Sequence, residues 1–102
     1  MWNQVRELMI GACDLHIHAG PDVVPRQQDL LEVAEQASEA GMKALAIKDH
    51  NTVTADRVNL AKKFVSKDLM LLGGIVLNYA VGGFNVEAVD QALRLGAKIV
   101  WM

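Results

Sequence analysis

The sequence predicts an α/β fold of parallel βα units, the N-terminal part of a (β/α) TIM-like barrel. Apolar runs begin near Ala12, Ala44, Met70 and Ala97, roughly thirty residues apart, which is the length of one strand–helix unit. The segments between them carry helical periodicity and end in glycine. Metal-capable side chains gather where the first two runs end, the edge at which parallel α/β sheets place their chemistry. One domain over residues 1–102 is expected, with four parallel strands and three helices. A full eight-stranded barrel takes about 250 residues, so the barrel expected here is incomplete, and the native polypeptide is expected to continue past Met102. The rival is an open, doubly wound sheet complete in itself, although no Gly-rich phosphate loop follows the first run.

Each element has its own rationale. Trp2, Val5, Leu8 and Met9 share one face of a short amphipathic segment, expected to cover an end of the sheet. In the first strand, period-two alternation sets Asp14, His16 and His18 against Cys13, Leu15 and Ile17. The first helix is expected from Gln27 to Ala40, burying Leu30, Leu31, Ala34, Ala37 and Ala40, with Pro25 near its start and Gly41 as its stop. The second strand groups Ala44, Ala46, Lys48 and His50 opposite Leu45, Ile47 and Asp49. The second helix starts near Thr54 and buries Val58, Ala61, Phe64 and Val65, while Lys62, Lys63 and Lys67 face water and suit its C-terminal end. Gly74, Val76 and Asn78 share a face of the third strand, and Tyr79 to Phe84 form a glycine-containing loop. Asn85 caps the third helix, and Gly96 ends it. Ala97 to Met102 read as a fourth strand with no covering helix after it, an apolar surface that self-association into a homo-oligomer would cover.

Composition narrows the function classes. Hydrophobic residues make up 52% and charged residues 22% of the chain, a globular balance. Lys and Arg total 10 against 12 Asp and Glu, a formal charge of -2, so there is no basic excess to hold a nucleic acid. No apolar stretch reaches the ~18 residues of a membrane span. A membrane partner is therefore not expected, and a cytoplasmic location is. Cys13 is the single cysteine; it excludes an internal disulfide, suits a reducing compartment and reads as a small buried hydrophobe.

The chemistry concentrates in two clusters. His16 and His18, two apart on a strand, point the same way and can offer two nitrogens to one divalent ion: zinc first, manganese or iron as alternatives. Two hydrogen-bonded surface histidines are the plainer reading. Asp14 can orient a ligand histidine or merely close the strand end. At the second strand end, Asp49 can ligate a metal or activate water, and His50 can ligate or shuttle a proton; a turn carboxylate beside an exposed histidine is the alternative. Lys48 can meet a substrate anion or snorkel at the surface. Asp22 and Arg26 can position substrate or belong to a solvated loop, and Asn78 is a further substrate-binding candidate at the same edge. Together these residues predict a metal-dependent hydrolase acting on a small, anionic molecule. The alternative is a non-catalytic ligand-binding or assembly module on the same fold.

Asp14-Leu15-His16-Ile17-His18 resembles the first motif of the polymerase-and-histidinol-phosphatase (PHP) family, and its HxH part is shared with amidohydrolases. Gly41 to Thr52, with Lys48-Asp49-His50 at its core, is similar to that family's second conserved region, usually written Thr-Asp-His. The resemblance covers about the first 80 residues. It implies a distorted barrel, phosphoester or amide/ester hydrolysis, His16, His18 and His50 as metal ligands, and Asp49 in support of the metal cluster. Val76 stands where PHP proteins commonly carry a bridging Glu, and Lys48 replaces the usual Thr. The resemblance therefore implies one or two ions in place of three.

Overall fold

A computed structural model describes residues 2–102. Five strands and four α-helices follow one another as α1 (Trp2–Met9), β1 (Cys13–Ile17), α2 (Leu30–Glu39), β2 (Ala44–Ile47), α3 (Ala55–Ala61), β3 (Met70–Leu72), β4 (Gly74–Val76), α4 (Val86–Arg94) and β5 (Ile99–Trp101). A single 3-10 turn, Tyr79–Val81, precedes α4. All strand pairs are parallel: β1-β2-β3 form one sheet and β4-β5 a second. The fold is thus α/β with helices interleaved between parallel strands, as the cadence of apolar runs predicts.

The expected third strand is two strands. Its run from Met70 to Val76 changes partner at Gly73: β3 pairs with β2, and β4 pairs with β5. Thr54 drives the split. Its hydroxyl donates to the Ile47 carbonyl at 2.8 Å, lies 3.2 Å from the Gly74 carbonyl and accepts the Gly74 N–H at 2.8 Å, while its own N–H donates to Gly74. One side chain therefore stands in for the ladder between β2 and β4. Gly73 permits the approach, because a Cβ there would lie 2.6 Å from the Ala55 Cα.

Two apolar clusters hold the helices to the strands. Leu45, Ile47 and Leu71 pack against Leu30, Val33, Ala34 and Ala37 of α2 and Val58 and Ala61 of α3. Ile75 packs against Ala55, Ala92 and Ala97. At about 25 cal/mol per Å² of apolar surface buried, such clusters dominate the driving force for folding. Their helix starts are specified by capping: Asp29 and Glu32 form a reciprocal box on α2, and Asn85 accepts from the Ala88 N–H on α4.

Several expectations shift. α2 begins at Leu30 rather than Gln27, because the box selects Asp29 as its cap, and Gly20 pairs with the Gln28–Leu30 backbone. Leu31 falls off the buried stripe and Val33 joins it. α3 stops at Ala61, where three-residue-spaced bonds to Leu60 and Ala61 tighten the chain, so Phe64 swings out to 72% exposure. α1 forms, but none of its residues is buried, and its apolar face is left open. In β1 the register slips by one residue between Asp14 and Ile17. This bulge breaks the alternation, so Asp14 lines the helix side with Ile17, Val33 and Met42, away from the histidines. Cys13 is exposed, not buried. Among the described residues, no helix is long and apolar enough to cross a membrane.

Candidate metal and substrate site

The open face of the sheet, opposite the helices, carries the candidate site at the C-terminal strand ends. His16 and His18 lie on it together, on either side of Ile17 as period-two alternation places them, with their Nε2 atoms 3.2 Å apart. His18 Nδ1 lies 2.8 Å from the Lys48 carbonyl. A carbonyl only accepts, so Nδ1 of His18 carries the proton and its Nε2 presents a lone pair. A proton on His16 Nε2 would then bridge the two rings. Two imidazole nitrogens at about 2.0–2.1 Å from one tetrahedral zinc ion stand about 3.3 Å apart. The pair therefore fits a shared divalent ion, with the Lys48 carbonyl orienting one ligand from behind.

Protonation favours the same role. Burial, above all, holds His18 below the ordinary histidine range; the Lys48 carbonyl opposes that, and the positive fields of Arg26, His50 and His16 reinforce it. A neutral imidazole is the metal-binding form. Asp14 does not touch either ring: its carboxylate accepts the His16 backbone N–H at 3.1 Å and fixes the bulge.

His50 is exposed and stacks on His18, with ring centroids 4.8 Å apart and an interplanar angle of 26°. Stacking aligns its ring beside the pair. Among the described residues, no group of three or more His, Cys, Asp or Glu side chains is placed to hold an ion. Asn78 donates its side-chain amide to the His50 carbonyl at 3.0 Å and so anchors the loop that carries this ring.

Asp49 is turned elsewhere. At 3% exposure, it accepts the N–H groups of Asn51 and Thr52 on one oxygen and pairs with Arg57 at 3.3 Å through the other. Arg57 also donates to the Pro21 carbonyl and the Thr52 hydroxyl. This clasp joins the loops after β1 and β2 beneath the histidines. Arg57 was not legible as a site residue; its only signal is an arginine in the first turn of the helix that follows Asp49. Arg26 pairs with Asp22 at 2.8 Å inside the β1–α2 loop and holds that carboxyl below its usual range.

Lys48 projects onto the open face. Its ammonium lies over the Trp101 ring, 4.9 Å from the centroid, and Trp101 stands 6.5 Å from the His16 ring. Trp101 is the site neighbour that sequence reasoning missed. Gly74 makes room for it: a Cβ on Gly74 would lie 2.6 Å from the edge of the indole. A strand-end aromatic facing a glycine one strand away was the available signal.

The chain belongs to the family described as "Family of unknown function (DUF6282)". The match spans residues 11–102, from the turn before β1 to the end of the chain. No curated protein and no solved structure matches it. The match takes in the histidine pair, Lys48, the Asp49–Arg57 clasp and Trp101 alike.

Proposed function

We propose that this DUF6282 member carries the metal-holding edge of a metal-dependent hydrolase, on the first part of a (β/α) barrel similar to those of PHP proteins and amidohydrolases. The observation that carries this reading is the 3.2 Å pair of histidine nitrogens, one of them oriented by a backbone carbonyl. His16 and His18 would hold the ion, zinc before manganese or iron. His50 is the candidate third imidazole, or the group that takes a proton at the mouth of the site. A divalent ion bound there would supply Lewis acidity and a nucleophile available near neutral pH.

The remaining side chains have roles that follow from their contacts. The Lys48 carbonyl keeps the His18 proton on Nδ1, and burial keeps that ring neutral. The Lys48 ammonium would offset negative charge on a small, anionic substrate, and Arg26 would do so once it leaves Asp22. Asn78 holds the His50 loop, and Asp49 acts through Arg57 and the loop backbone, either as a support or, once that clasp opens, as a base. Val76, apolar and buried, stands where PHP proteins commonly carry a bridging Glu, which supports one or two ions in place of three. The engagement of Asp49 and the presence of only two converging nitrogens favour a second reading, a ligand-binding module without turnover.

Hydrolysis assays separate the two readings. Zinc- and manganese-loaded protein is tested on phosphoester, carboxylic ester and amide panels beside a His16→Ala/His18→Ala variant. Turnover lost in the variant supports the hydrolase. Metal binding lost in the variant with no turnover on any panel favours the binding module.

A further inference from the structure

We propose that Trp101 and Lys48 form the substrate-recognition element of this site, and that its ligand class is a small planar carboxylate. The inference rests on the reading of His16 and His18 as the reacting edge, because it assigns the group that an adjacent substrate would present. Lys48 directly follows β2, the middle strand of its sheet, where its N–H donates to the Ile17 carbonyl, and its ammonium lies over the indole of Trp101. An ammonium on a four-carbon stem is ordinarily mobile. Here the indole quadrupole draws it to one place, 4.9 Å from the ring centroid, beside the His16 ring. The indole is itself fixed, since its benzenoid edge rests on Gly74, where any side chain would collide with it and with the Ile99 carbonyl. The cation is therefore held next to the histidine pair before any ligand arrives.

The rings beside the cation set the shape of what fits. Trp101, His16, His18 and His50 follow one another as a row of rings, with successive centroids 6.5, 5.1 and 4.8 Å apart. Flat π surfaces favour a planar ligand by stacking. The charge held beside them, that of Lys48, is positive, and the carboxylate nearest in sequence, Asp49, is committed to Arg57. A planar acid can lay its ring along this row of imidazoles and direct its carboxylate to the Lys48 ammonium, which covers the indole. Trp101 acts through Lys48, as a positioning residue.

The test is calorimetric titration of the protein with benzoate, cyclohexanecarboxylate, benzamide and inorganic phosphate, each variant being checked for folding by near-UV circular dichroism. Benzoate is expected to bind best. Lys48→Met should weaken it roughly tenfold or more, the loss of a charge-assisted contact, and Lys48→Arg should recover most of that. Trp101→Leu should weaken it about two- to fivefold, with recovery in Trp101→Phe, which a purely structural role would not give. Cyclohexanecarboxylate or phosphate binding as tightly as benzoate, or Lys48→Met binding like the parent protein, would overturn the proposal. Zinc titration of the same samples keeps the two ideas apart. Absent zinc binding with the benzoate pattern intact removes the metal reading and leaves the recognition element; zinc binding without that pattern removes the recognition element alone.

Discussion

Thr54→Val is the sharpest perturbation of the framework beneath the site. The substitution keeps the volume and removes one hydroxyl, which is 1% exposed and bonded to both sheets. The Gly74 N–H and the Ile47 carbonyl would lose their partner in a place that water does not reach. A stranded buried donor costs about 1–3 kcal/mol, and the lost bond to Ile47 adds about 1 kcal/mol. The sum, about 2–4 kcal/mol, is a large share of the ~5–15 kcal/mol that holds a domain together. For a chain of this size it should lower the melting temperature by on the order of 10–20 °C. Thermal and urea unfolding followed by circular dichroism measure it, with Thr54→Ser as the control that keeps the hydroxyl and loses only a methyl, about 1 kcal/mol. If the valine variant proves as stable as the parent protein, Thr54 does not join the two sheets and the explanation of the split strand is wrong.

Three further outcomes follow from the site. Asp49→Ala and Arg57→Met should each cost about 2–3 kcal/mol, the double variant costing about 1–2 kcal/mol less than their sum; strictly additive losses in urea titrations would dissolve the clasp. Gly74→Ala should push the indole off its seat, shifting the Trp101 fluorescence of a Trp2→Phe background, and an unchanged spectrum would contradict the packing. Because the folded-state pKa of His18 is depressed, its contribution to stability is fully present above the unfolded value of about 6.5 and is lost as pH falls through the folded value. Histidine NMR titration of metal-free protein should therefore show His18 titrating below 6.5, and His18→Gln should flatten the acid limb of stability against pH; a value at or above 6.5 would reverse the sign.

The parts of the fold visible in the sequence are those set by local chemistry. Apolar runs at Ala44, Met70 and Ala97 give strands because their spacing repeats, and Gly41, Asn85 and Gly96 mark helix ends because backbone conformation and capping are local properties. His16 and His18 converge by the expected alternation. Strict alternation would have carried Asp14 with them, whereas the bulge sends Asp14 to the helix side, and a register slip leaves no mark in a period-two pattern. The division of the third run at Gly73 depends on a threonine nineteen residues earlier, and the place of Trp101 on a glycine across a strand pair. Such long-range contacts have no periodic signature. Asp49 illustrates the same limit: its type suits catalysis, but its burial against Arg57 is decided by the helix that follows it.

The most direct test of the histidine pair is metal analysis by mass spectrometry of purified protein exposed to equimolar zinc, beside His16→Ala/His18→Ala prepared identically. Stoichiometric zinc retained by the parent protein and absent from the variant is the expected result. Equal metal in both proteins would contradict the assignment of His16 and His18 as ligands.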